Sequence, residues 1–278
     1  MCEKKLLTIV FIISIHLGFY AQDGKLKRGK ESINSSSIGS SSIKKSKRNK
    51  RKSRDTNSFV EAIFVDVILG VFEHVIPGFF FGFPGERESD MYSAKITKYP
   101  YQNLKQGNFA YTDSTNYTAT RFDFINNFVI ENNNLYGNNF EVNFRFLKRW
   151  ALDVDYLYLI EKNNGNRDSF SLYSALLKYY RIRSQMFDAW VGLGTMHITS
   201  DVNKNGLVVG FGAEAFIVKP VSLEFSLKKG FINESTLIKT KVLAKYHLKN
   251  YHISSGYEHF KIGVSKINTF SLGIGASF

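Results

Sequence analysis

Polar and apolar residues alternate along most of the second half of the chain. Successive side chains of a β-strand point to opposite faces, so this alternation predicts strands with one apolar and one polar face. Each segment is about 10 to 14 residues long, which is the length that a tilted strand needs to cross a bilayer. The clearest segments are Phe140–Phe146, Leu152–Ile160, Leu207–Ile217, Val221–Lys228 and Ile238–Tyr246.

The last segment, Phe270–Phe278, has an apolar residue at every even position and Ser or Gly at every odd position. It ends the chain on an aromatic residue, Phe278. A soluble protein seldom ends on an amphipathic strand of this kind, whereas a membrane barrel needs one to close its sheet against lipid. The segment therefore predicts the closing strand of a transmembrane β-barrel.

The connections between these segments differ in length, which predicts a topology. Short connections are expected at Leu147–Trp150, Arg181–Gln185, Val218–Pro220 and His247–Asn250, and longer polar loops at Glu131–Asn138, Glu161–Asp168, Thr199–Gly206, Gly230–Ser235 and Glu258–Asn268. Bacterial outer-membrane barrels have short periplasmic turns and longer outside loops. The sequence therefore predicts an all-β, antiparallel up-and-down barrel of about ten strands over residues 118–278, with eight or twelve as alternatives. An even count places the N-terminal arm and the C-terminus in the periplasm.

The polar faces of these strands predict a charged barrel interior. The expected lumenal network comprises Arg145, Asp153, Asp155, Asp188, Glu214, Glu224, Lys239 and Lys241, and the same alternation adds Lys228 and Lys245. A barrel of ten strands is narrow enough for side chains to fill. A salt-bridge network that holds the barrel shut is therefore favoured over a polar pore. Aromatic residues expected in the interface girdles are Trp150, Tyr158, Trp190, Tyr246 and Tyr251.

The N-terminal part of the chain has a different composition. Residues 1–21 combine Lys4 and Lys5 with a short apolar run, which is typical of a secretory signal peptide. The only cysteine, Cys2, lies in this segment, so the mature chain is expected to contain no disulfide. Residues 22–57 are rich in Ser, Lys and Arg, and are predicted to be a disordered basic arm.

Charge does not point to nucleic acid, although the net charge is +13. Most of the excess lies in the arm, above all in the run Lys44–Arg54, and the rest of the chain is nearly neutral. A secreted basic arm fits an acidic lipid headgroup or a periplasmic or envelope protein as its partner, or serves as a solvated spacer. Residues 58–83 are predicted to form an apolar or amphipathic helix, and residues 84–117 to be irregular or to hold short strands.

Two pairs of residues are candidates for a catalytic site. His197 and Asp201 lie near a strand end, but His197 shares parity with the lipid-facing residues. His252 and Ser254 are two residues apart on a lumenal face, but they follow a tight turn at the periplasmic end. No nucleophile elbow, phosphate loop or metal-ligand cluster is present in the sequence. We therefore expect a protein that is not an enzyme, with no cofactor and no metal.

Together, the signal segment, the even set of hairpins, the strand with Trp190, Gly192 and Gly194, and the terminal Phe278 resemble the outer-membrane β-barrel superfamily. Within this superfamily, the chain resembles small barrels of Bacteroidota-type bacteria. The resemblance covers residues 118–278 and implies that the barrel-assembly machinery reads Phe278. It leaves three functions open: a structural or complex component of the cell envelope, a narrow channel for small solutes, or a surface hydrolase.

Overall fold

The computed structural model describes residues 24–35, 94–103, 106–111, 117–163, 165–232 and 235–278. Its main element is a closed antiparallel barrel of ten strands, each paired with its neighbours in the chain. These are β4 (Arg121–Ile130), β5 (Leu135–Phe146), β6 (Trp150–Asn163), β7 (Asn166–Arg183), β8 (Phe187–Ile198), β9 (Lys204–Val218), β10 (Val221–Ile232), β11 (Ser235–Leu248), β12 (Tyr251–Ile262) and β13 (Ser265–Ser277). The predicted fold class is confirmed.

The terminal strand closes the barrel, as the sequence predicted. Strand β13 pairs with β4 over Phe270–Ser277. Beyond that ladder, the backbones of Phe278 and Phe122 exchange two hydrogen bonds of 2.9 Å each. The Phe278 side chain is 62% exposed on the outer wall. The last residue thus completes the hydrogen bonding of the sheet while its ring faces away from the lumen.

Side chains sort onto the two faces of the wall as the alternation predicted, with one exception. Apolar residues such as Leu193, Leu207 and Ile274 are exposed on the outer wall, while the charged residues of the same strands are buried. The exception is Trp190, which was expected in an interface girdle but is 6% exposed. Its ring lies inside, with the Lys178 ammonium 4.1 Å from the ring centroid. It shares parity with the inward-facing Asp188, and this parity decides its position.

The prediction of long loops at one end was wrong. The strands extend into the polar residues, so that β6 and β7 pair out to Asn163 and Asn166, and β12 and β13 out to Ile262 and Ser265. Polar residues at strand ends still exchange backbone hydrogen bonds, because pairing does not require an apolar side chain. Both ends of the barrel therefore have short connections, and loop length no longer distinguishes them.

Two further structures cover the ends of the barrel. Helix α1 (Lys25–Ser35) lies on the end where β12 turns into β13, which we call the α1 end. Strands β1 (Lys95–Thr97), β2 (Phe109–Ala110) and β3 (Tyr117–Thr118) form a small antiparallel sheet, the cap, at the end where Phe278 lies. We call this second end the cap end.

Helix α1 corrects the expectation that residues 22–57 are disordered throughout. It also lies at the end opposite Phe278, whereas the arm and the C-terminus were expected on one side. The reason is a helical stripe of buried residues, Leu26, Gly29, Lys30 and Ile33, which packs on the barrel end. The predicted signal peptide, the basic run Lys44–Arg54 and the predicted helix at 58–83 lie outside the described residues. Among the helices of the described ranges, none is both long and apolar enough to span a membrane.

Candidate functional site: a filled lumen closed at both ends

The middle of the lumen is filled by lysines and carboxylates that meet across the barrel. Lys228 of β10 donates to the carboxylates of both Asp153 and Asp155 on β6. Asp153 also accepts from Lys178 Nζ at 2.5 Å, and Asp155 accepts from Lys239 Nζ at 3.1 Å. A buried charge is costly unless it is paired. These mutual bonds therefore fix the side chains across the lumen.

A second group continues this network toward the cap end. Lys241 Nζ lies 2.8 Å from a carboxylate oxygen of Glu141 and 2.8 Å from one of Glu224. Lys245 Nζ lies 2.5 Å from Glu224 and 3.1 Å from Glu214. Each of these lysines bridges two carboxylates on different strands. The group therefore ties β5, β9, β10 and β11 together through the interior.

All eight residues predicted for the lumenal network face inward, but not all bond one another directly. Arg145 Nε bonds Asp123 at 3.0 Å, and Asp188 is joined to Glu214 only through a shared donor from the cap. Sequence reasoning missed Lys178, because both faces of β7 are apolar over much of its length. It also left out Glu141, although that residue lies on a polar face that the alternation had identified.

In the part of the described lumen between the cap and the apolar cluster at the α1 end, the two signs of charge are matched. The inward carboxylates are Asp123, Glu141, Asp153, Asp155, Asp188, Glu214, Glu224 and Glu258, and the inward cations are Arg121, Arg145, Lys178, Arg183, Lys228, Lys239, Lys241 and Lys245. The two sets are equal in number. Nearer α1, the buried Glu131 and Glu161 add two carboxylates, and the helix supplies Lys25 to Glu131 and backbone N–H groups to Glu161. Partners of this kind are what allow ionised groups to remain buried.

Helix α1 closes one end of the lumen through a carboxylate at its N-terminus. Glu161 on β6 accepts hydrogen bonds from the backbone N–H groups of Gly24, Lys25 and Leu26, at 2.8 to 3.0 Å. The first N–H groups of a helix have no partner within the helix and carry the positive end of its dipole. A carboxylate on a barrel strand therefore caps this helix, a role that usually belongs to the residue just before the helix in the sequence.

The buried face of α1 combines apolar packing with one charged contact. Leu26 and Ile33 join a buried apolar cluster at this end of the lumen. Gly29 is needed for the close approach, because a Cβ atom there would lie 2.9 Å from the Ile262 carbonyl oxygen. Between them, Lys30 donates to the carboxylates of Asp168 and Asp201. The helix is thus held by contacts to several hairpins at once.

The contact of Lys30 predicts a pH dependence for the docking of α1. Burial disfavours the charged lysine, but the hydrogen bonds to Asp168 and Asp201 outweigh it and raise the pKa of Lys30 above 10.5. The hydrogen bond from Lys30 lowers the pKa of Asp201 below 3.8. The stabilisation that goes with the raised lysine pKa is present below pH 10.5 and is lost as the pH rises through the higher value. The stabilisation that goes with the lowered aspartate pKa is present above pH 3.8 and is lost as the pH falls through the lower value.

We therefore expect α1 to be docked most stably between about pH 4 and pH 10. A fluorophore on Lys27→Cys, at an exposed position of α1, should report release of the helix through its anisotropy at either extreme. In the background of Lys30→Met the alkaline transition should disappear. An alkaline transition that persists in that variant would contradict the assignment to Lys30.

The cap closes the other end through Asn108. Its side-chain amide donates to Asp188 at 2.7 Å and to Glu214 at 3.0 Å, and its carbonyl oxygen accepts from Arg121 at 2.5 Å. One cap residue thus satisfies groups from β8, β9 and β4 that would otherwise face the barrel opening. The cap therefore completes the polar network of the lumen at this end.

An aromatic contact also holds the cap. The Tyr101 hydroxyl donates to the Val221 carbonyl oxygen at 2.5 Å, and its ring packs edge-on against Phe216 and His247. Burial, with a smaller effect of the Glu214 charge, raises the pKa of Tyr101 to about 12. The hydroxyl therefore stays protonated and able to donate at neutral pH.

A cavity of about 60 Å³ lies between the cap and the charged network, lined by residues that include Arg121, Arg145 and His252. One water needs about 10 to 15 Å³ of volume of this kind, so the cavity has room for a few waters. A larger open groove, of about 640 Å³, lies outside the lumen between α1 and the β6–β7 hairpin.

The catalytic candidates from the sequence do not form a site. His197 bonds Asn205 on the outer wall, while Asp201 bonds Lys30 of α1. Ser254 is buried in the lumen and donates to Asn127 at 2.8 Å.

One arrangement that the sequence did not suggest joins Ser222, Glu214 and His247. The Ser222 hydroxyl lies 2.8 Å from both Glu214 Oε1 and His247 Nε2. In a hydrolase triad the carboxylate orients the histidine, whereas here the hydroxyl lies between the two and is fully buried. Across the described residues, no group of three or more His, Cys, Asp and Glu side chains could hold a metal ion.

Comparison with known proteins returned only distant structural likeness. No protein-family model matches the sequence, and no curated protein matches it. Among solved structures, the chain is similar to the outer membrane protein Ail of Yersinia pestis (15% identity, TM-score 0.33, covering 57% of this chain and 98% of that one). It is also similar to the KdgM porin (12%, 0.36, 57% and 99%) and to an outer membrane channel of Pseudomonas putida F1 (7%, 0.36, 60% and 98%). Likeness at this level carries no function to this chain, so the fold rests on the strand pairing described above.

Proposed function

We propose that this chain is a non-enzymatic outer-membrane β-barrel that serves as a structural or complex component of the cell envelope. One observation carries the proposal: a charge-matched network fills the lumen of a barrel whose outer wall is apolar. An apolar band of this extent is unfavourable in water and suits a lipid bilayer. A filled interior leaves the outer surfaces and the two covered ends as the parts that can act.

The remaining expectations belong to the same proposal. We propose that the chain resembles outer-membrane barrels of the kind found in Bacteroidota-type bacteria, and that the barrel-assembly machinery recognises Phe278. Envelope proteins or acidic lipid headgroups are proposed to bind the basic run Lys44–Arg54. These partners are supported by the sequence features alone. Co-purification from native outer membranes, with and without deletion of Lys44–Arg54, tests them: recovery of the barrel alone from both preparations would contradict a role in a complex.

A conductance measurement separates this proposal from the channel hypothesis. The purified full chain in a planar bilayer is expected to give no steady ion current, because side chains fill the lumen and both ends are covered. A chain lacking α1 is expected to stay silent too, since the charged network remains below the helix. A reproducible current from the full chain would favour the channel, and a current only after removal of α1 would make the helix a plug.

A further inference from the structure

The charged residues of the barrel are sorted by sign between its two faces. Within the described part of the barrel, every acidic side chain either faces the lumen or bonds α1. Those that bond α1 are Glu131, Glu161, Asp168 and Asp201. None of the described acidic side chains therefore lies on the outward face of a strand, and the charge carried by that face is positive.

The outward cations at the α1 end occur partly in like-charged pairs. Lys162 lies directly opposite Arg167 in the β6–β7 ladder, and Lys261 directly opposite Lys266 in the β12–β13 ladder. Lys229 adds a fifth cation on β10, between the two hairpins. We call these five residues the outer basic rim. Like charges directly opposite each other in a ladder destabilise the pair, so a negative group outside the wall beside Lys162 and Arg167 would offset their repulsion.

Aromatic rings lie beneath two of these cations. The Lys162 ammonium is 5.5 Å from the Tyr136 ring centroid, and the Lys229 ammonium is 5.1 Å from that of Phe231. Long basic side chains commonly lay their stems on apolar surface and hold the charge in the polar region of a membrane. The rim therefore lies where the apolar wall gives way to headgroups, if the barrel spans a bilayer.

We propose that the outer basic rim binds phosphate-bearing lipid headgroups in the membrane leaflet at the α1 end. The inference rests on the proposed function, because it requires a barrel in a bilayer. The rim occupies three separate sectors of the circumference, on β6–β7, β10 and β12–β13. A single soluble ligand could not reach all three, whereas a leaflet of anionic lipids surrounds the wall and supplies a phosphate at each.

The test measures which lipids stay next to the barrel. The full chain is inserted into phosphatidylcholine vesicles that contain spin-labelled phosphatidic acid or, separately, spin-labelled phosphatidylcholine, and the motionally restricted fraction of each label is compared. A basic residue near an anionic surface is worth about 1 kcal/mol, so we expect the phosphatidic acid to be favoured about fivefold. Raising the salt to 1 M should remove most of this preference, because exposed charges are then screened.

A matched pair of variants locates the effect. Removing the two paired sets with Lys162→Gln, Arg167→Gln, Lys261→Gln and Lys266→Gln should bring the selectivity close to one. The control, Lys27→Gln with Arg28→Gln, removes charges from the exposed face of α1 at the same end and should leave the selectivity unchanged. Equal restriction of both lipids by the inserted parent chain would overturn the inference. No restricted lipid of either kind would mean that the barrel does not enter the bilayer, and would overturn the proposed function instead.

Discussion

Replacing Lys228 by Met is expected to lower the free energy of unfolding of the barrel by about 3 to 5 kcal/mol. Lys228 is buried and donates to both Asp153 and Asp155. Its removal leaves two neighbouring carboxylates in the lumen with too little positive charge, and a buried charge without its partner is costly. The loss can be measured by urea titration of the refolded chain in lipid vesicles, followed by the fluorescence of Trp150 and Trp190.

The neighbouring residue gives the control. Lys229→Met makes the same change of residue on the outward face, where it removes the charge and keeps an unbranched side chain. It is expected to change the free energy of unfolding by less than about 1 kcal/mol. The double variant Lys228→Met with Asp155→Asn removes one charge of each sign and should recover part of the lost stability. Equal effects of Lys228→Met and Lys229→Met would contradict a network that holds the barrel shut.

Replacing Glu161 by Gln is expected to release α1 while leaving the barrel folded. Three backbone N–H groups at the start of the helix lose a charged acceptor, which costs about 2 kcal/mol or more. This corresponds to a roughly thirtyfold larger population of undocked helix. Helix α1 carries several trypsin sites, including the buried Lys30, so cleavage in this segment should accelerate by a similar factor.

The exposed acidic residue of the same helix serves as the comparison. Glu31→Gln removes a carboxylate from the exposed face of α1 and leaves the hydrogen bonds between Glu161 and the backbone of α1 in place. The cleavage rate should therefore stay close to that of the parent chain. Heat-modified migration of the barrel on a gel reports whether the ten strands remain intact. If Glu161→Gln left cleavage unchanged, the carboxylate would not be the group that anchors the helix.

The sequence was sufficient for the barrel and for most of its interior, because the period of two assigns each side chain to a face without knowledge of the tertiary structure. The same period predicts that Asp153 and Lys239 face inward, without reference to their partners. The prediction for Trp190 was wrong because the residue type suggested an interface girdle, whereas the parity shared with Asp188 indicates an inward side chain. The predicted loop lengths were wrong for a related reason. Hydrophobicity marks the lipid-facing part of a strand and not the end of its backbone hydrogen bonds.

Helix α1 was beyond sequence reasoning for a different reason. Only Leu26 and Ile33 mark its buried face with apolar side chains, in a segment rich in charge and serine. The other stabilising groups, Glu161, Asp168 and Asp201, are supplied by the barrel from more than 130 residues away in the chain. A helix whose capping and charge partners are all distant leaves little trace in its own sequence.

The docking site of α1 also sets an order of events in folding. The helix contacts Glu131 after β4, Glu161 on β6, Asp201 after β8 and Gly263 after β12, so its site draws on the first hairpin of the barrel and on the last. That site comes into existence only when β13 has closed against β4. Although α1 precedes every strand in the chain, it is expected to dock last. Its protection from trypsin would therefore report when the barrel is complete.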